Sequence, residues 1–404
     1  MPRQPQKQRA WLTPGVRGIG AASLMSDLGH EVPTSLLPGL LTSSLGAPAA
    51  ALGLIEGLAD GLSGLMRLLG GALADDPERR RKTAVGGYAT TAVLTSLIGV
   101  AQSVWQVGVL RAGGWAARGL RAPSRNALLA DAVPTEFYGR AYGFERAMDN
   151  LGAVGGPLLA LGLVAAFSVR TAILLSIIPG LLAVAAILYA IHNLPTLTAR
   201  ERQPIRIVVR PVLQGRIGRL MVAVGALELG NVAATLLILR ATEVLTPSRG
   251  GDAATRIALT LYLGYNLAAT LASVLAGQMS DRVGPVHVLG GGVVAFLVAY
   301  ALFALVETSV PTLGAAFALA GVGIGCVETA EHAAVATAAP ADLRGSAFGL
   351  LAAVQSFGNL AASGIAGLIW TIASPTAAFV YVAAWMAACL VALPSAAVTL
   401  STNS

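Results

Sequence analysis

Residues 134–152 read PTEFYGRAYGFERAMDNLG, and residues 340–358 read PADLRGSAFGLLAAVQSFG, 206 positions further on. Pro134, Gly139, Gly143 and Gly152 of the first stretch meet Pro340, Gly345, Gly349 and Gly358 of the second. A second pair of stretches has the same offset. GGALADDPERRR at 70–81 stands over AGQMSDRVGPVH at 276–287, with Gly71 opposite Gly277 and Asp75 opposite Asp281. Two separate blocks sharing one offset are hard to obtain by chance, so the chain reads as two copies of one unit.

The composition says what solvent those copies occupy. Of 404 residues, 55% are hydrophobic and 12% charged, against roughly 25% charged in an ordinary soluble domain. Twelve apolar segments, at 17–41, 49–74, 84–103, 105–131, 139–167, 170–192, 216–242, 256–279, 286–306, 311–338, 343–371 and 376–400, each match the length of about 20 residues that a helix needs to cross a bilayer. The 47 glycines fit the close packing of membrane helices. Lys and Arg concentrate in the N-terminal MPRQPQKQR, in DDPERRRK at 75–82, in the 198–219 stretch and in SDRVG at 280–284. Basic short loops mark the cytoplasmic side. Both termini and the linker 195–215 are therefore expected in the cytoplasm, with six helices in 1–194 and six in 216–404. The net charge of +7 is accounted for by these loops and does not call for a nucleic-acid partner. No short apolar stretch with a cleavage site follows the basic N-terminus, so no removable signal peptide is expected. Cys326 and Cys389 lie in separate apolar segments and support neither a disulfide framework nor a thiolate metal site. Six plus six helices in parallel repeat is an all-α transporter arrangement, with a substrate site between the halves near the midplane.

With these motifs in place, the chain resembles the major facilitator superfamily over essentially its whole length. That family's loop motif, Gly-x-x-x-Asp-Arg-x-Gly, stands at 277–284 as GQMSDRVG; the first-half copy has Asp76 and Glu78 where Arg and Gly are expected. GFERAMDNLGAVGGP at 143–157 is similar to the fifth-helix glycine-proline motif of the family's proton-driven exporters, although Ala160 and Leu161 stand where its final Gly-Gly pair would be. The resemblance implies two pseudo-symmetric six-helix bundles, alternating access, and a cavity lined by the first, fourth, seventh and tenth helices. MSDLGHEVPTSLLPGLLTSSLGA at 25–47, GLIEGLADG and RAMDNLGAVGGPLLA also resemble a bacterial branch, some members of which are associated with nickel or other metal resistance.

The charges inside apolar segments are the candidate site. A charge at the centre of a membrane helix costs about 2.5–3.5 kcal/mol on insertion scales and is expected to face a cavity or a partner. Asp27, His30 and Glu31 in the first segment have spacing i, i+3, i+4, and Glu328, Glu331 and His332 in the tenth repeat it; such spacing groups side chains on one helical face. Glu228 and Asn231 stand in the seventh, Glu56 and Asp60 in the second, and Tyr262 and Asn266 occupy the repeat positions of that second pair. All twelve are candidates for substrate or proton binding. Asp27, His30 and Glu31 are also the candidate metal ligands, because imidazole with carboxylates suits a divalent transition metal. The fourth segment carries Arg111, Arg118, Arg121 and Arg125, and the fifth Glu145, Arg146 and Asp149; these are expected to form ion pairs serving as gate or scaffold. Asp75, Asp281 and Arg282 are expected to act in gating.

The resulting expectation is a proton-coupled exporter of a small cation, a divalent metal among the candidates. It would work as a monomer in a bacterial-type inner membrane, driven by the proton gradient and with no bound cofactor. Export of organic compounds (drugs, metabolites or metal chelators) is the alternative, and uptake of a small anion by the arginines a third. No nucleophile–base motif, phosphate loop or soluble domain points to an enzyme.

Overall fold

The computed structural model describes residues 11–195, 205–213, 216–305 and 309–401. Helix α1, Pro14–Gly39, continues into one π-helical turn, Leu40–Ser44. It is followed by α2 (Ala49–Ala74), α3 (Pro77–Leu97), α4 (Val104–Asp131) and α5 (Tyr138–Ala166). Helix α6 comes in two pieces, Val169–Leu175 and Ile177–His192, and α7 likewise, Arg216–Gly230 and Ala234–Arg249. Then come α8 (Gly251–Val283), α9 (Pro285–Leu305), α10 (Val310–Ala338), α11 (Arg344–Ile372) and α12 (Pro375–Ser401). Among the described residues there is no strand. Nine of these helices are long and apolar enough to cross a membrane. The other three, α1, α2 and α4, are those that carry Asp27 and Glu31, Glu56 and Asp60, and the four arginines.

Most of the linker expected at 195–215 lies outside the described residues; within it, Arg210–Leu213 forms one helical turn with Val212 buried. Helix α3 begins at Pro77 rather than at 84. Asp76 caps it, accepting hydrogen bonds from the backbone N–H of Glu78 (2.9 Å) and Arg79 (3.0 Å), and Pro77 at the first helical position needs no donor there. The basic run 79–82 is therefore helical, not loop, and Arg80 within it is buried.

Among the first six helices, α1 packs on α5 and α6, and both α2 and α3 pack on α4. Among the last six, α8 packs on α10, α9 on α10 and α12, and α7 on α12. Across the two sets, the broad contacts are α2 with α11 and α5 with α8, the two pairs carrying the repeated glycines. A Cβ on Gly71 would lie 2.8 Å from the Gly345 carbonyl and 2.9 Å from Gly349 Cα, and one on Gly143 would lie 3.0 Å from Gly277 Cα. Backbone meets backbone there, which no larger residue permits. These approaches sit on the side of the bundle where α1 begins and α12 ends. On the opposite side the two sets stand apart: a Cβ on Gly53, Gly57 or Gly61 of α2 would meet nothing within 4 Å, and Leu54 and Leu58 are 64% and 63% exposed.

Candidate functional site

A cavity of about 510 Å³ lies between the two helix sets and runs toward the open side, where Phe357 and Leu360 line its mouth. An inner chamber of about 90 Å³ continues it toward the closed side. Asp60 and Arg67 of α2, Trp115 and Arg118 of α4, and Arg146 and Asp149 of α5 form one wall. Glu228 and Asn231 of α7, Glu328 of α10, and Gln355, Asn359 and Ser363 of α11 form the other.

The second wall depends on the break in α7. Residues 231–233 leave the helix, which frees backbone groups inside the membrane span. Two α11 side chains take them up: Asn359 Nδ2 donates to the Asn231 carbonyl (2.7 Å), and Ser363 Oγ accepts from the Ala233 N–H (2.9 Å). Non-helical backbone at this depth is tolerated where it lines a cavity and finds such partners. The break leaves Asn231 Nδ2 donating to Glu228 Oε2 at 3.1 Å.

The first wall is an ion-pair network. Arg118 Nη1 lies 2.9 Å from Asp27 Oδ1. Arg125 Nη1 lies 2.8 Å from Glu145 Oε1 and 3.4 Å from Asp149 Oδ1. Arg146 pairs with Glu145 Oε2 at 2.7 Å and Asp149 Oδ2 at 3.2 Å, and reaches Glu328 across the cavity at 3.9 Å. Ser23 Oγ donates to Glu145 Oε1 at 2.6 Å, tying α1 to α5. Arg121 instead lies over the Tyr88 ring, 3.8 Å from its centroid, and donates to Ser26 Oγ at 2.7 Å. Arg111 pairs with Glu56 at 3.0 Å on the open side.

On the second-half side, Glu331 is fully buried. Gln355 Nε2 donates to its Oε2 at 2.8 Å, while Oε1 has no hydrogen-bond partner. His332 lines the inner chamber between the rings of Tyr142 and Phe348, at 5.8 and 6.0 Å, with Nδ1 on the Glu328 carbonyl at 2.7 Å.

Several expected site residues fall elsewhere. At about 100° per residue, His30 and Glu31 leave α1 on opposite flanks of Asp27, about 100° apart. His30 therefore turns to its own half, edge-on to Trp115 at 4.8 Å and beside a void of about 10 Å³ lined by α3 and α6, away from the cavity. Glu31 is half-buried with its side chain against Gly156 of α5. The three do not converge as metal ligands, and among the described residues no group of three or more His, Cys, Asp or Glu side chains does. Glu56 is held by Arg111, outside the cavity wall. Tyr262 stacks on Tyr265 (5.6 Å), and Asn266 donates to the Tyr262 carbonyl (2.9 Å), so this pair is bound within α8. Arg67, Trp115, Gln355, Asn359 and Ser363 line the cavity without having stood out in the sequence.

At the closed side, Asp75 accepts from the Ser346 N–H (2.8 Å) and Oγ (2.5 Å) at the start of α11. Asp281 accepts from the N–H groups of Gly139 (2.7 Å) and Arg140 (3.3 Å) at the start of α5, and pairs with Arg140 Nε at 3.1 Å. Each aspartate thus crosses from one helix set to a helix N-terminus of the other. Arg282 is exposed and forms no ion pair among the described residues, so Asp281 alone of that pair makes the contact. Asp131, at the end of α4, pairs with Arg80 and with Arg344 Nη1 at 3.4 Å, adding a further bridge between the sets.

Twelve helices, nine of them long and apolar enough to cross a membrane, around a polar, two-walled cavity closed at one end by carboxylates on helix N-termini, are the arrangement of a multi-pass membrane transporter. Residues 19–241 and 245–402 match the model of the Major Facilitator Superfamily, and the chain belongs to that family. It is 28% identical over 373 residues to an uncharacterised MFS-type transporter of Methanocaldococcus jannaschii, covering 92% of each chain. In structure it is similar to a bacterial homologue of the iron transporter ferroportin in an outward-facing state (TM-score 0.76, 16% identity, 95% of this chain and 99% of that one). It is also similar to the human organic anion transporter MFSD10 (TM-score 0.74, 17% identity, 94% and 99%). At that identity these structures establish the fold alone. The family and fold are those of transporters, not enzymes.

Proposed function

We propose that the chain is a proton-coupled exporter of small polar organic molecules. In this reading the two six-helix units, 1–194 and 216–404, alternate access about the cavity in a bacterial-type inner membrane, with both termini and the 195–215 linker in the cytoplasm. The observation that carries the substrate class is the cavity itself. Its 510 Å³ falls within the roughly 300–1,000 Å³ of organic-ligand sites. Its walls offer guanidinium groups with the carboxyls of Asp60 and Asp149 on one side and carboxyl and amide groups on the other, a match for a molecule with charged or polar ends. The small cation of the first expectation loses its ligand set, because Asp27 is taken by Arg118 and His30 faces away.

With the termini taken as cytoplasmic from the basic loops, the closed side is the cytoplasmic one in this reading and the conformation is outward-open. The glycine-proline motif supports export: Gly152 and Gly156 seat α5 against Asp27 and Glu31 of α1. Glu228 and Glu331 support proton coupling. They are buried carboxyls with no ion-pair partner among the described residues, and an unpaired charge in the membrane core is costly; Glu228 lines the cavity, where a proton can exchange with cargo, and Glu331 is linked to it through Gln355.

A growth screen tests this. Cells expressing the protein or its Glu331→Gln variant would be challenged with polar antibiotics, toxic amino-acid analogues, dyes and metal salts. Protection against organic compounds that disappears in the variant is expected. Protection against metal salts alone would overturn the organic reading in favour of a cation.

A further inference from the structure

The arginines of the inner chamber are not all neutralised. Five line it: Arg67, Arg118, Arg121, Arg125 and Arg146. Arg118, Arg125 and Arg146 hold the carboxylates Asp27, Glu145 and Asp149, and Arg146 also faces Glu328 of the same chamber at 3.9 Å. Arg67 and Arg121 form no ion pair with any described residue. Arg121 is 3% exposed; Nη2 is spent on Ser26 Oγ, while Nε and Nη1 have no hydrogen-bond partner. Arg67 Nη1 donates to the Ala352 carbonyl of α11 at 2.9 Å, and its Nε is likewise buried and unpartnered.

A guanidinium is permanently charged, and its rigid fork of donors fits the paired oxygens of carboxylate and phosphate. We infer that the inner chamber is an anion subsite, in which Arg67 and Arg121 bind a carboxylate or phosphate group of the cargo. This rests on the cavity being the transport site, and it deepens that reading by giving the cargo an obligatory negative end. At about 10–15 Å³ per water position, the 90 Å³ chamber holds on the order of six waters, enough to be replaced by one such head group. The remaining body of the cargo would lie in the larger cavity, facing Glu228, Asn231 and Glu328. In this state Arg121 Nε and Nη1 and Arg67 Nε are already shut off from the chamber's water. When the open side closes and expels that water, Arg67 and Arg121 would be left without a carboxylate partner in a low-dielectric interior, Arg121 with only the Tyr88 ring face beside it. An anion carried into the chamber offsets them, so closure is favoured only when the subsite is filled. Arg67 is the residue positioned to report occupancy, because its side chain already bridges from α2 to α11 of the opposite helix set.

The test is calorimetric titration of the purified full chain in lipid nanodiscs with inorganic phosphate and, separately, with succinate, each against chloride at matched ionic strength. Saturable binding of at least one oxyanion is expected, and which arm binds tells phosphate from carboxylate cargo. Arg121→Lys keeps the charge but loses the fork, and should weaken binding about tenfold. Arg67→Gln should weaken it at least as much, and Arg282→Gln, on the exposed surface, should leave it unchanged. Should Arg121→Lys fail to fold, Arg67→Gln decides alone. Absence of binding in both arms, or a loss in Arg282→Gln equal to that in the other two variants, would overturn the subsite. The exporter reading would still stand or fall on the growth screen, which does not depend on oxyanion binding.

Discussion

Asp281→Asn is the substitution whose effect the structure allows to be estimated most closely. Asp281 closes one side of the cavity by accepting from two backbone N–H groups at the start of α5 and by pairing with Arg140 at 3.1 Å. Asparagine keeps one carbonyl oxygen for the Gly139 N–H. It loses the charge, the second acceptor and the attraction to the helix N-terminus. A hydrogen bond to a charged group is worth about 1.5–3 kcal/mol net, and a charge at an exposed helix N-terminus about 0.3–1 kcal/mol. Because one bond survives and the site is half-buried, a loss of about 2 kcal/mol in the preference for the closed arrangement is expected. That is a shift of about 30-fold in the ratio of the two states. Spin labels at Lys82 and Arg282, both exposed and on opposite helix sets, would read it in a background with Cys326 and Cys389 replaced by alanine. Double electron–electron resonance should show a longer-distance population growing in Asp281→Asn and growing again when Asp75→Asn is added. The two contacts are separate, so their effects should add. A distance distribution unchanged from wild type, in a variant with an unchanged melting temperature, would refute the latch.

Glu331→Gln should leave stability within about 1 kcal/mol, since Gln355 can still donate to the new amide oxygen, while transport loses its dependence on pH; flux measured in proteoliposomes at two pH values checks this. Arg146→Gln would leave Glu145 and Asp149 short of a counter-ion in a buried network and should destabilise by about 3–5 kcal/mol, read as a large drop in melting temperature. His30→Ala should cost about 0.5–1.5 kcal/mol of aromatic contact with Trp115 yet leave cargo affinity unchanged in a binding assay. Gly71→Leu should wedge α2 from α11, where a Cβ already meets backbone at 2.8 Å, and raise thiol labelling of a cysteine placed at Asn231 from the termini side.

The fold was legible because membrane solvent writes it plainly: apolar length sets the spans, and the repeated glycines mark the two places where α2 meets α11 and α5 meets α8. What stayed hidden is local. The capping of α3 by Asp76 moved a basic loop into a helix, and nothing in ALELGNVAAT announces a break whose cause lies 128 residues away in Asn359 and 130 away in Ser363. The site was legible by residue type and only partly by geometry. Asp27, Arg118, Arg125, Glu145, Arg146 and Asp149 do meet as the rule for paired buried charges requires. The i, i+3, i+4 spacing misled at His30, because it spans about 100° of helix surface, enough to send two side chains to different neighbours. Arg67 was missed because it stands alone in GLMRLLGG, where its partners come from helices distant in sequence.

The most direct test of alternating access is thiol labelling at Asn231, which lines the cavity beside the α7 break. In intact cells a membrane-impermeant maleimide should label Asn231→Cys from outside, and inside-out vesicles should show little labelling until Asp75→Asn and Asp281→Asn are introduced together. Labelling only from the cytoplasmic face of the otherwise wild-type protein, or no change in sidedness when both latches are removed, would contradict the account.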